Sequence, residues 1–261
     1  MLSTPFLMAT AALLGLVIGS FLNVVILRLP TKDSSIIFPA SHCPECKTPL
    51  AWYENIPVFS FLFLRGKCAH CRTTISPQYP LVEILTSFLA VAVLKTFGPS
   101  LEAVGYFIFA AALLVIIFID IRHQIIPDVI SLPGIILGFL FSLFSHHLRW
   151  QDSLTGIILG GGVLYAIALF YLLLRKQEGM GGGDIKLLAM IGAWLGWQSL
   201  PFVIFFSSFS GSIVGLMAMR TQKKGGSTRI AFGPFLAGTA IIYLFFSKQI
   251  LVFYRLYFLG Q

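Results

Sequence analysis

Residues 102–119 read EAVGYFIFAAALLVIIFI, an almost unbroken apolar run that closes on Asp120. Coiled into a helix at 1.5 Å per residue, such a run covers about 27 Å, close to the hydrocarbon thickness of a bilayer. A run of this length predicts a transmembrane helix. Further apolar blocks at 5–27, 80–97, 129–145, 153–174, 185–198, 200–219 and 231–247 read the same way. The expected fold is an all-α polytopic membrane protein of about eight transmembrane helices. Composition agrees: of 261 residues, 57% are hydrophobic and 11% charged, where soluble domains carry roughly 25% charged. That excludes an ordinary soluble domain, and also a disordered chain, which needs low hydrophobicity. Four cysteines are too sparse for a small disulfide scaffold. No Lys or Arg precedes Arg28, so the first block lacks the basic n-region of a cleavable signal peptide and is expected to be retained. The apolar, aromatic tail 249–260 is too short for another span and is expected to lie at the interface.

Three parts follow. Residues 1–27 form the first transmembrane helix, 28–78 a polar island between spans one and two, and 79–261 the transmembrane core. With eight spans, the segments 28–78, 120–128, 175–186 and 220–230 share one side and hold 14 of the 18 Lys and Arg residues. The opposite side keeps Lys95, Arg149, Lys248 and Arg255. The positive-inside rule then puts the island in the cytoplasm and the N-terminus outside. The net charge of +8 is thereby explained by topology, and no nucleic-acid partner is implied.

The island carries Cys43-Pro-Glu-Cys46 and Cys68-Ala-His-Cys71. Two C-x-x-C turns offer four thiolates, the ligand set of a structural zinc site with a closed shell. Iron suits four thiolates too. Disulfides are disfavoured in a reducing cytoplasm. An island of this size builds little core alone, so a metal would supply folding free energy. His42 and His70 flank the ligands, and no H-E-x-x-H motif of a zinc protease occurs.

Ionisable residues at a membrane point to function by default. Asp120 ends span three, and Asp184 follows Gly181-Gly182-Gly183 at the start of span six. The expected topology brings both to one depth on the cytoplasmic side, although 64 positions separate them. Two carboxylates brought together do not easily both ionise, so one retains a proton. The ionised one can activate water while the other polarises a peptide carbonyl. The glycines permit close backbone approach to a ligand. Taken singly, Asp120 also reads as a hydrated helix-end acid and Asp184 as an N-cap. Asp128, after Pro127, reads more as an N-cap or a supporting residue. Lys186 can pair with Asp184 or meet lipid headgroups, and Glu83 lies early in span two, where it can face the same cavity. The glycine run is not followed by Gly-Lys-Ser/Thr and is not a P-loop. A transporter with a proton site and a non-enzymatic scaffold with a docking ribbon are the competing readings. Transporter sites sit at the midplane, often in inverted repeats, and neither feature is visible here.

The chain resembles the type 4 prepilin peptidase family, membrane aspartyl proteases of the GxGD class, nearly from end to end. The residues that carry the resemblance are Gly19-Ser20-Phe21-Leu22-Asn23-Val24 with Arg28-Leu29-Pro30, and the Cys43–Cys71 loop with Trp52-Tyr53-Glu54-Asn55-Ile56-Pro57 and Arg65-Gly66-Lys67-Cys68. With them stand Asp120 to Ile126-Pro127-Asp128, Gly181-Gly182-Gly183-Asp184-Ile185-Lys186, and Phe232-Gly233-Pro234-Phe235-Leu236-Ala237. Ala231 stands where the family pattern has Pro. The resemblance implies an enzyme of the bacterial inner membrane that cuts short basic leaders from type IV prepilins and pseudopilins, after Gly, on the cytoplasmic face. It serves pilus assembly or type II secretion. Asp120 and Asp184 match the catalytic aspartates, and Asp128 matches a motif position without that role. The large cysteine loop implies a second activity, N-methylation of the new terminus with S-adenosylmethionine. Glu54, Gly66 and Lys67 are the candidates for that half, with a loop-folding role as their alternative. Expected partners are the prepilin or pseudopilin substrates and the lipid bilayer, and a homo-oligomer is compatible with this reading. A basic leader gains no steering from a basic enzyme face. Entry by lateral diffusion, with local acids such as Glu54 and Glu178 meeting the leader, is the expectation.

Overall fold

A computed structural model describes residues 3–31, 35, 37–38, 40–176, 181–222 and 231–258. Glu178, and the loop residues Lys32, Lys223, Lys224 and Arg229 counted above, lie outside them. Every expected apolar block is helical: α1 (Thr4–Arg28), α3 (Gln78–Phe97), α4 (Leu101–His123), α5 (Asp128–Ser142), α6 (Trp150–Arg175), α7 (Gly182–Leu195), α8 (Leu200–Gln222) and α9 (Gly233–Phe258). A short α2 (Phe59–Phe63) lies inside the island, after a single 3-10 turn at Trp52–Asn55. No strand occurs among the described residues, where two isolated β-bridges are found.

Six of these helices are long and apolar enough to cross a membrane. The all-α polytopic expectation holds; the length criterion leaves out α5 and α7, which have 15 and 14 residues, about 22 Å of helix against roughly 30 Å of hydrocarbon. Apolarity in α7 reflects burial in protein rather than contact with lipid, since Leu187 through Trp194 are all buried. Gly196, at φ +78°, ends that helix. The tail continues from the last span as the final turns of α9.

Two compact units divide the chain, Met1–Val115 and Ile116–Gln261. In the first, α1 and α3 pack antiparallel through small residues. A Cβ on Gly15 would sit 2.6 Å from the Ser87 Cα, and one on Gly19 2.7 Å from the Glu83 Cα. Helices without side chains at the seam approach closely, which is how they gain packing energy in lipid. Asn23 donates across the seam to the Tyr79 carbonyl at 3.0 Å, and Ser87 donates to that of Ala12 at 2.9 Å. The 28–78 island emerges and returns at one end of this pair.

In the second unit α7 is the central helix. It packs against α5, α6 and α9. Gly156 of α6 meets Gly192 of α7 backbone to backbone, and the Ser153 hydroxyl donates to the Ala193 carbonyl at 2.7 Å. The Trp194 indole donates to Gly134 of α5 at 2.8 Å. Gly134 faces Met190 and Gly138 faces Trp194, so α5 and α7 run in parallel and start at the same end.

Candidate active site and metal centre

Asp120 lies in the last turn of α4 and is buried, 4% exposed. Its Oδ2 accepts a 3.0 Å hydrogen bond from the amide of Gly233, the first residue of α9. That amide is one of the donors a helix start leaves without an internal partner, and the positive end of the helix favours an anion there. Pro234 completes the helix start without needing an amide. A Cβ on Gly233 would stand 2.6 Å from the Asp120 Oδ2, so only glycine admits this contact unstrained.

Asp184 sits in the first turn of α7, half-buried, and its amide bonds the Gly181 carbonyl at 3.2 Å. Gly183 and Gly233 converge on one side chain, Ile126, at 3.0 and 3.1 Å from their built Cβ positions. Ile126 thereby ties the glycine loop that precedes Asp184 to the α9 start that holds Asp120. Among the described residues nothing approaches Gly181 or Gly182 where a side chain would stand.

Asp128, the first residue of α5, does not cap its helix. Both its oxygens accept from the Lys186 ammonium, at 2.7 and 2.8 Å. The pair fastens the starts of α5 and α7 beside Asp184. Lys186 is thus committed to Asp128 rather than to Asp184. Sequence reasoning gave Gly233 no role. Its signal was the Gly-Pro pair at a helix start, but nothing local points to a partner 113 positions away.

In the island, the four cysteine sulfurs lie within 4.8 Å of one another. Cys43 Sγ and Cys71 Sγ are 3.8 Å apart, and a tetrahedron with Zn–S bonds of about 2.3 Å has an edge of about 3.8 Å. The donor set and spacing fit a metal ion. The two knuckles share one geometry: the Cys43 amide bonds the Thr48 carbonyl at 3.0 Å, the Cys68 amide that of Thr73 at 2.8 Å, and Lys47 and Arg72 both take positive φ. A hexapeptide, Cys-x-x-Cys-basic-Thr, occurs at 43–48 and again at 68–73. It is a local repeat that sequence reading passed over. Hydrogen bonds from the Thr48 hydroxyl and amide pull the Cys46 thiol down to about 6.

Glu54, Gly66 and Lys67 each make local contacts in the loop. The Glu54 carboxylate accepts from the Ala51 amide at 2.8 Å and stands 3.6 Å from His70 Nε2, which links the 3-10 turn to the second knuckle. Gly66 needs its positive φ, +68°, beneath the Phe61 ring. Lys67 is exposed and forms a bridge with Thr74. Glu83 is buried in α3 and accepts from the Val58 amide at 2.7 Å within the first unit.

Comparison with known proteins agrees with this layout. The family described as Bacterial Peptidase A24 N-terminal domain matches residues 13–97, and the Type IV leader peptidase family matches 107–216. A protein of Stutzerimonas stutzeri named prepilin leader peptidase/N-methyltransferase is 38% identical over 97% of this chain and 95% of its own length. Proteins of the same name from Neisseria gonorrhoeae and Pseudomonas aeruginosa are 40% and 38% identical, over 89% and 91% of this chain and 88% and 90% of their own. No solved structure matches.

Proposed function

This chain belongs to the type IV leader peptidase family, and we propose that Asp120 and Asp184 are the catalytic pair with which it removes prepilin leaders before N-methylating the new terminus. The observation that carries this is the convergence of the two acids on one backbone cradle: Gly233 holds Asp120, Gly183 positions Asp184, and Ile126 joins the two. One carboxylate, ionised, takes a proton from water as the water attacks the scissile carbonyl. The other, protonated, donates to the carbonyl oxygen. With Oδ2 fixed by the Gly233 amide, Asp120 keeps Oδ1 for this exchange. At Gly181 and Gly182, which no described residue approaches where a side chain would stand, an extended substrate strand has room to lie beside the pair.

The finer reading is that the leader is short and basic and is cut after Gly. Asp120 ends α4 and Asp184 begins α7, parallel to α5. The face they share is the cytoplasmic one, by the positive-inside argument, in the bacterial inner membrane. Residues 28–78 are then a cytoplasmic metal-binding loop between the first helix, 1–27, and the core, 79–261. Cys43, Cys46, Cys68 and Cys71 would hold zinc, whose closed shell keeps the loop folded rather than reacting. S-adenosylmethionine is the methyl donor of the second activity. Glu54, Gly66 and Lys67 of the loop are the residues assigned to it, beside the loop-folding contacts that Glu54 and Gly66 make.

The test is the product mass of a prepilin incubated with the purified enzyme in lipid, with and without S-adenosylmethionine. Cleavage alone without the donor, and a methyl increment on the same product with it, are the expected results. An uncut prepilin would overturn the reading.

A further inference from the structure

We propose that the aromatic segment Trp52–Phe63 is a membrane seat: it lies in the interfacial layer of the bilayer and holds the cysteine module against the lipid surface. Four observations converge on it.

Trp52, Tyr53, Phe59, Leu62 and Phe63 are exposed, Trp52 and Phe63 by 80% and 84%. Trp52 and Tyr53 meet edge to face at 5.8 Å. A run this dense in exposed aromatics needs a cover.

The depth of the segment is fixed. Val58, in its middle, donates its amide to the Glu83 carboxylate at 2.7 Å. Glu83 lies five positions inside α3, a spanning helix that starts at Gln78, and so about 7.5 Å along its axis. The segment is therefore pulled down beside the ends of α1 and α3 rather than projecting into water.

The bond holds a specific conformation. Val58 takes φ +61°, a costly state for a β-branched residue that persists only where the surroundings impose it. It turns the chain so that α2 begins directly after the anchor point.

The charge also fits. Arg65 and Lys67, both exposed, follow α2 at once. Trp and Tyr rings favour the headgroup level, and basic residues beside them favour anionic lipid. The occupant is thus the lipid surface itself, and the assignment does not depend on the peptidase chemistry.

Tryptophan quenching on the full-length protein in nanodiscs of phosphatidylcholine and phosphatidylglycerol tests it. The emission of wild type minus Trp52→Phe isolates Trp52. The emission of Phe63→Trp minus wild type isolates position 63, so a folding defect in one variant leaves the other reporter intact. The expected result is a blue-shifted difference emission, of which roughly half is lost to lipid brominated near the carboxyl end of the acyl chain. Iodide in the water, and lipid brominated at the chain terminus, should quench it less. Iodide quenching without lipid quenching would place the segment in water. Loss to neither would place it under protein, whether another part of the chain, a second copy or a substrate helix. Either result at either reporter overturns the proposal.

Discussion

The amide of Gly233 donates a 3.0 Å hydrogen bond to Oδ2 of Asp120, joining the start of α9 to the end of α4 across 113 positions. A methyl at residue 233 would meet that oxygen at 2.6 Å. Gly233→Ala should therefore displace the carboxylate while leaving the helices packed. A misplacement of this kind costs about 100-fold in rate. The check is cleavage rate together with melting temperature in detergent: the rate should collapse and the melting temperature should hold.

Asp128 and Lys186 test a different role. Their contact is short, 2.7 Å, but the side chains are 54% and 37% exposed, so the pair contributes about 1 kcal/mol at most. Asp128→Asn should retain cleavage with a modest loss. The charge exchange Asp128→Lys with Lys186→Asp should recover more activity than either exchange alone, because the pair fastens the starts of α5 and α7. Cleavage rates of the four proteins decide it.

What the sequence made legible is the part that rests on local pattern. Apolar runs found every long helix among the described residues, and paired Cys-x-x-Cys turns found the four-cysteine cluster, because both signals lie within a few residues. The two acids were legible because Asp120 closes an apolar run and Asp184 follows three glycines. At α5 and α7 a short apolar run says little about what covers it, and here neighbouring helices do: Met190 packs on Gly134 and Trp194 on Gly138. Contacts between distant segments, such as Gly233 with Asp120 or Glu83 with Val58, leave no periodic trace. They are set by how helices dock.

Gly192 carries a stability prediction. Its built Cβ runs into the backbone of Gly156, so Gly192→Ala must push α6 from α7. Overpacking of this sort costs about 1–3 kcal/mol. Gly162, on the same helix as Gly156 but facing open space, should accept alanine without loss. Thermal denaturation of the two variants side by side is the measurement.

Metal content is checked directly. The purified protein should hold one zinc per chain by elemental analysis. Cys43→Ser with Cys68→Ser, which takes one ligand from each knuckle, should abolish it. The same loss should make the 28–78 loop protease-sensitive, since the ion supplies folding free energy that a loop of this size lacks. The transmembrane helices should remain intact by circular dichroism.

The central claim is that Asp120 and Asp184 act as one acid–base pair. Its most direct test is prepilin cleavage across pH by wild type, Asp120→Asn, Asp184→Asn and Asp128→Asn in lipid. Below the range where one carboxylate ionises there is no base, and above the range where the shared proton is lost there is no acid, so the wild-type profile should be a bell. Asparagine keeps the shape of aspartate without its proton chemistry. Cleavage should vanish at every pH in the first two variants and persist, still bell-shaped, in Asp128→Asn. Normal cleavage by either Asp120→Asn or Asp184→Asn would contradict the claim.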